Sequence, residues 1–170
     1  IHFPENAYFD NMKNLKTKLM KFPSMKNLDL VSEISTSYIY KWFNKKKVKS
    51  FKINKNFIAV IDFGIKKNIL NILSSSKYDV VVFPYNFSVE EIIKMKPAGL
   101  FLSNGPGDPL ATFKKNKGNL CSIKNFNKPI FGICLGHQIL SLIYNAKTEK
   151  MHHGHRGANH PIKNVKTKKV

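Results

Sequence analysis

The chain has 170 residues and a formal net charge of +19, and 42% of its residues are hydrophobic. This length is sufficient to bury one core and by itself predicts one domain. There is no run of 18 or more apolar residues, so the sequence predicts no membrane-spanning helix. The chain starts at Ile1 without Met and stops at Val170 within a basic run, and we interpret it as a fragment.

The positive charge is the main argument for a nucleic-acid-binding function. However, 28 of the 29 basic residues are Lys, and Arg156 is the single Arg. Arg is the side chain that binds bases and phosphates in a bidentate manner. Solvated surface lysine is therefore the favoured interpretation, and we expect no nucleic-acid partner.

The cysteine content bears on the cellular compartment. The two cysteines, Cys121 and Cys134, form neither a disulfide framework nor a metal-binding spacing. Such sparse usage is typical of the reducing cytoplasm, which is the predicted location.

The first third of the chain is irregular. Residues 1–35 mix polar residues with short apolar pieces, and residues 36–56 are predicted to be a basic linker, with Trp42 and Phe43 as candidate anchors to one domain. The linker prediction depends on its crowded lysines, which are Lys41, Lys45, Lys46, Lys47, Lys49, Lys52 and Lys55.

From Phe57 onward, apolar runs of strand length alternate with segments of helical spacing. The predicted strands are Phe57–Phe63, Asp79–Phe83, Gly99–Leu102 and Pro129–Ile133. The predicted helices are Ile65–Ser74, Val89–Met95 with Ser88 as N-cap, Phe113–Phe126 and Leu135–Tyr144. Continuous apolar strands that alternate with helices indicate an α/β fold with a doubly wound, mostly parallel sheet.

A cysteine stands between the last predicted strand and the last predicted helix. Cys134 has Gly132 and Gly136 two residues away on each side, which is the cysteine counterpart of the G-x-S-x-G nucleophile elbow. The N–H groups at a helix start favour the nucleophilic thiolate. The loop at 103–109 also follows a strand, so it is expected at the same sheet edge. A buried cysteine that only packs is the alternative.

The histidines are weaker candidates for chemistry. His137 follows the cysteine on the same helix, and packing is the favoured role. His152, His153, His155 and His160 cluster in the sequence, which suggests a Cys/His dyad or a metal site. No neighbouring Cys, Asp or Glu completes a zinc-binding set, so we expect no metal.

Four motifs carry a resemblance to a known family. FGICLGHQIL at 131–140 resembles the nucleophile motif of class I (triad) glutamine amidotransferases. SNGPGDP at 103–109, DFGIKKNIL at 62–70 and GHRGANHP at 154–161 resemble, more narrowly, the small chains of carbamoyl-phosphate synthases. The order of the four motifs makes the resemblance specific.

The resemblance also suggests a division of the chain. Phe22-Pro23 and Leu28–Ile34 are similar to the end of the N-terminal domain of those small chains. Residues 1–35 are then the tail of that domain, residues 36–56 the linker, and residues 57–170 an incomplete amidotransferase domain.

The activity that the resemblance implies is hydrolysis of the L-glutamine carboxamide through a thioester on Cys134. In the family, the residues that match Gly105, Gly107, Leu135 and Gln138 contact glutamine. The Leu135 N–H and a glycine N–H of the loop would stabilise the oxyanion. A solvent-facing helix residue is the alternative for Gln138, and an ordinary tight turn is the alternative for the glycines. The family's catalytic His and Glu form an H-x-E motif that this chain lacks, so we expect the fragment alone to be inactive.

The implied partner is an ammonia-using carbamoyl-phosphate synthetase, as a separate subunit or a fused domain. ATP and magnesium are expected on that partner, with no cofactor on this chain. The implied pathway is pyrimidine biosynthesis and, in some organisms, arginine biosynthesis. An amidotransferase domain of another synthetase and a non-catalytic regulatory module are the alternatives.

Overall fold

The computed structural model describes residues 12–22, 24–54, 56–154 and 161–170. Its helices are α1 (Met12–Met20), α2 (Val31–Ile34), α3 (Lys67–Ser74), α4 (Val89–Lys94), α5 (Pro109–Lys115), α6 (Lys117–Cys121) and α7 (Leu135–Ile143). Its strands are β1 (Tyr40–Phe43), β2 (Lys46–Val48), β3 (Phe57–Asp62), β4 (Asp79–Pro84), β5 (Gly99–Leu102) and β6 (Ile130–Gly132). None of these helices combines the length and apolarity needed to span a membrane.

The strands form one six-stranded sheet in the order β2-β1-β4-β3-β5-β6. Four adjacent strands of this sheet, β4, β3, β5 and β6, are parallel to one another. The crossover helices that such parallel pairs require are supplied by the segments between them. This is the mostly parallel α/β fold that the sequence predicts.

The region predicted as a linker contributes two strands to this sheet. β1 and β2 form an antiparallel hairpin, and β1 pairs with β4 in antiparallel orientation. Trp42 is buried and its indole Nε1 donates to Asn71 Oδ1 at 3.0 Å, whereas Phe43 is exposed. The lysine-rich composition hid the hairpin, because exposed lysines on a short edge strand discourage pairing with other chains without preventing strand formation. The division at residues 35 and 56 stays a prediction.

The alternation of side chains along β3 divides the core between the two faces of the sheet. Ala59, Ile61 and Phe63 belong to a large cluster that also includes apolar residues of α4, α6 and α7. Val60 belongs to a smaller cluster on the other face, which is covered by α3 through Leu70. One face is therefore much more fully covered than the other.

The predicted helices are present, and one of them differs in detail. The segment predicted as a helix at 113–126 begins earlier, at Pro109, and is divided into α5, α6 and a short 3₁₀ helix at Ser122–Asn125. Asp108 caps α5, because its side chain accepts from Leu110 N, and Pro109 suits the first helical turn. Asn116, with φ −128°, interrupts the run between α5 and α6. Helices α1 and α2 and the β1–β2 hairpin were not predicted from the sequence.

Candidate active site

The backbone makes a sharp turn at Cys134, between β6 and α7. Its torsion angles are φ 53° and ψ −112°, a conformation that residues with a Cβ atom rarely adopt. Ile133 N donates to Leu102 O at 3.1 Å just before the turn, and Gln138 N donates to Cys134 O at 3.0 Å just after it. The Cys134 side chain is exposed. This is the geometry of a nucleophile elbow that presents its thiol to solvent.

The two glycines beside the elbow are required by close contacts. A Cβ atom on Gly132 would lie 2.7 Å from His137 N, and one on Gly136 would overlap Leu102 O and lie 2.7 Å from Ser103 O. Gly136 N also donates to Ser103 O at 3.0 Å. The start of α7 is thereby held directly against the end of β5.

The glycine loop, which we define as residues 103–109, is fixed at its first end by short polar side chains. Ser103 is fully buried, and its Oγ accepts from Phe63 N at 2.8 Å. Asn104 Oδ1 accepts from Lys66 N at 3.2 Å, and its Nδ2 donates to Gly64 O at 2.9 Å. These two anchoring residues are not among the site residues predicted from the sequence. The available signal was a Ser and an Asn directly after a buried strand, where such side chains bind nearby backbone groups.

The structure brings most of the predicted site residues together. Gly105 lies against the backbone of Phe63 and the side chain of Leu135, since a Cβ there would lie 2.8 Å from Leu135 Cδ2. Leu135 directly follows Cys134, and as the first residue of α7 its N–H has no acceptor within the helix. Gln138 lies one turn further on and is exposed. The glycine loop and the elbow are therefore neighbours at the carboxyl edge of the parallel strands.

Gly107 lies in different surroundings. It adopts φ +96°, and a Cβ atom there would lie 2.7 Å from Leu28 O and 3.1 Å from Leu30 N. Its glycine identity is thus required by the contact with the chain segment before α2. The roles predicted for Cys134, Gly105, Gly107, Leu135 and Gln138 in catalysis and glutamine binding stay predictions.

A buried carboxylate organises the turn between β3 and α3. Asp62 Oδ1 accepts from Gly64 N and Ile65 N, both at 2.9 Å, and Oδ2 accepts from Thr36 N at 2.9 Å. Burial, together with this nearby negative charge, raises the pKa of Tyr40 far above its usual range. Asp62 therefore supports the backbone on which Asn104 is anchored.

The histidines and Cys121 were the weaker candidates for chemistry in the sequence. His137 is exposed on α7, and the rings of His152 and His153 are 4.4 Å apart. Among the described residues, no group of three or more His, Cys, Asp or Glu side chains is placed to hold a metal. His155 and His160, and with them most of the predicted GHRGANHP motif, lie outside the described residues. Cys121 is half-buried and packs against the main core.

Fold and site together define an α/β protein with an exposed cysteine at a strand-to-helix turn of the nucleophile-elbow type. The family model described as "Glutamine amidotransferase class-I" matches residues 59–170, and the chain belongs to this family. This match confirms the resemblance to class I glutamine amidotransferases that the four motifs indicated.

Several individual relatives of this chain share one name. The carbamoyl phosphate synthase small chain of Bartonella bacilliformis is 45% identical over 170 residues, which are 97% of this chain and 42% of the relative. The protein of the same name from Bradyrhizobium diazoefficiens is 43% identical over 97% of this chain and 43% of its own length. That from Pyropia yezoensis is 39% identical over 89% of this chain and 42% of its own length. The chain spans less than half the length of these curated relatives.

Proposed function

We propose that the chain is the glutaminase part of a glutamine-hydrolysing carbamoyl-phosphate synthase. The observation that carries the proposal is the exposed Cys134 on a strained strand-to-helix turn, with the glycine loop in contact with Leu135. The relatives that align along nearly the whole chain support the choice among amidotransferases, because they carry the name carbamoyl phosphate synthase small chain.

The proposed reaction is the attack of the Cys134 thiolate on the side-chain amide of glutamine. The sulfur of Cys134 attacks the side-chain carboxamide carbon of L-glutamine, and the electron pair of the C=O bond moves onto oxygen. The N–H of Leu135 and an N–H of the glycine loop stabilise this oxyanion; loss of one such donor typically costs about a hundred- to a thousand-fold in rate. Collapse of the intermediate, with a proton delivered to nitrogen, expels ammonia and leaves a thioester. Water then hydrolyses the thioester to glutamate and restores the thiol.

The proposal also covers where the released ammonia is used and what this chain does alone. Ammonia would be consumed by a synthetase subunit or domain that uses bicarbonate and ATP with magnesium, in the cytoplasm, for pyrimidine and in some organisms arginine biosynthesis. These 170 residues contain no H-x-E motif. We therefore expect them, taken alone, to release little ammonia from glutamine, because the leaving nitrogen and the attacking water need proton transfer.

The test is Cys134→Ser in the complete synthase that contains this chain. We expect glutamine-dependent carbamoyl phosphate synthesis to fall by at least about a thousand-fold, because a serine hydroxyl is not ionised at neutral pH. Synthesis from added ammonium chloride should stay unchanged. The measurement is carbamoyl phosphate formed with each nitrogen donor, with Cys121→Ser as the matched control. Loss of both activities in Cys134→Ser would contradict the proposal.

A further inference from the structure

We propose that the segment of residues 27–32 acts as a clamp that holds the glycine loop in the conformation that receives glutamine, with Asp29 and Asp108 as positioning residues. The inference deepens the proposed function and rests on it, because it concerns how the same site is prepared for its substrate. It arises from contacts between parts of the chain about 80 residues apart.

The first contacts join the clamp to the second end of the glycine loop. Asn27 N donates to Asp108 Oδ2 at 2.7 Å, and Asp108 N donates to Leu28 O at 2.8 Å. Gly107 lies so close to Leu28 O that a Cβ atom would be 2.7 Å from it. These two reciprocal hydrogen bonds and one close approach fix the path of the backbone at 107–108.

A second set of contacts, made by Asp29, holds the clamp on α5. Asp29 Oδ1 accepts from the hydroxyl of the fully buried Thr112 at 2.9 Å. Lys115 Nζ lies 3.0 Å from Asp29 Oδ2 and donates to Ser32 Oγ at 3.1 Å. Burial opposes ionisation of Asp29, but the bonds from Lys115, Thr112 and Ser32 outweigh it and lower the pKa of this carboxyl.

The carboxylate of Asp108 connects the clamp with the start of α5. Its Oδ1 accepts from Leu110 N at 2.8 Å and so caps α5, while its Oδ2 binds the clamp. The first end of the loop is held by Ser103 and Asn104 on the turn after β3. Between these two anchors lie Gly105, Pro106 and Gly107.

Both ends must be held because glycines permit many backbone conformations. An unanchored glycine loop would have to be ordered each time a substrate binds, and the lost entropy would weaken binding. With both ends fixed, the donors that meet the oxyanion are already in place before glutamine arrives. The clamp therefore acts on substrate recognition, through the loop, without contact with the reacting atoms.

The experiment compares two alkylating reagents on Cys134 in the complete synthase that contains this chain. A chloroketone analogue of glutamine requires the glutamine site, whereas iodoacetamide reports only the exposed thiol. In both reactions the thiolate forms a sulfur–carbon bond and halide leaves, so no general acid is needed. Labelling of Cys134 is followed by mass spectrometry as a function of reagent concentration, with Cys121→Ser as the background.

The decisive variant is Asp108→Asn. It keeps the side-chain size but replaces one carboxylate oxygen by an NH₂ group, so the side chain can no longer accept from both Leu110 N and Asn27 N, and the link between α5 and the clamp is broken. We expect about a tenfold lower rate constant for the glutamine analogue at low reagent concentration, the loss typical of one hydrogen bond to a charged group. The iodoacetamide rate should stay unchanged. Asp29→Asn, which removes the ion pair with Lys115, is expected to act in the same direction.

Glu33→Gln is the matched control, because it removes one negative charge from the exposed side of the neighbouring α2. It should leave both rates unchanged. If the unaltered synthase shows no preference for the glutamine analogue over iodoacetamide, the proposed function fails. If that preference exists and both aspartate variants retain it, the clamp proposal is overturned. Circular dichroism reports folding, and should Asp108→Asn not fold, Asp29→Asn decides between the same two outcomes.

Discussion

Backbone strain at a single residue separates Cys134 from Cys121. Cys134 holds φ 53° and ψ −112°, whereas Cys121 has the ordinary helical angles φ −65° and ψ −23°. A Cβ atom at positive φ costs of order 1–3 kcal/mol, and such outliers are concentrated at functional sites. The surrounding hydrogen bonds of Ile133 and Gly136 to β5 and Ser103 maintain the conformation.

This strain leads to a stability prediction for two substitutions of the same residue. Cys134→Gly should be more stable to urea than Cys134→Ala by about 1 kcal/mol, because glycine adopts positive φ without a steric penalty. The exposed thiol contributes little burial in either case. At Cys121, where the backbone is helical, the order should reverse, with alanine the more stable. Equal stabilities of the two Cys134 variants would mean that the turn is unstrained.

At the scale of elements, the geometry of the elbow at Cys134 depends on how closely α7 approaches β5. Gly136 is buried in the first turn of α7, and a Cβ there would overlap Leu102 O. Helix propensity alone favours alanine over glycine by about 1 kcal/mol in a helix. At this position the close approach to another backbone outweighs that preference, because backbone atoms of a central strand cannot move aside cheaply.

We therefore expect Gly136→Ala to lower the free energy of unfolding by about 1–3 kcal/mol, the usual cost of overpacking. Gly118→Ala is the matched control, because Gly118 lies exposed in α6 with nothing within 4 Å of a built Cβ. That substitution should stabilise the chain by up to about 1 kcal/mol. Denaturant titration of both variants gives the comparison. A neutral Gly136→Ala would contradict the close docking of α7.

At the scale of the whole molecule, the two faces of the sheet are covered unequally. One face carries α4, α5, α6 and α7, whereas α3 covers part of the other. Beside α3 lies an apolar cleft of about 360 Å³, lined by Ile58, Ile69, Ile72, Leu73, Gly99, Leu100, Phe101, Pro129, Phe131 and Ile133. Two of the lining residues, Ile72 and Phe131, are 63% and 62% exposed, so the cleft presents large apolar side chains to solvent.

This cleft should bind an uncharged hydrophobic dye such as Nile red. Phe131 stacks on Phe101 with ring centroids 5.9 Å apart, so Phe131→Ser removes one wall of the cleft. We expect the apparent dissociation constant of the dye to rise about tenfold, the effect of losing one aromatic contact surface. Phe43→Ser, at a similarly exposed phenylalanine of β1, is the control and should have no effect. Equal dye binding by both variants would show that the dye lies elsewhere.

Much of the architecture, and the sharp turn at Cys134, could be predicted because both depend on local sequence. Apolar runs of strand length, helical spacing from Ile65 to Ser74, and the Ser88 cap were sufficient to predict the parallel strands and their helices. Ser88 Oγ does accept from Glu91 N, at 3.3 Å. The glycines around Cys134 indicated a sharp turn because only they permit the close approach seen there. These features depend on neighbours in sequence.

Contacts between distant parts of the chain were decided by the tertiary structure alone. The hairpin of β1 and β2 was hidden by its lysines, because its stability comes from pairing with β4 and from burial of Trp42, not from composition. Likewise the sequence places Gly107 in the glycine loop, but only the fold shows that the backbone of Leu28 lies against it. A residue's own type and spacing specify which conformations it can adopt, but only the fold determines which distant backbone lies against it.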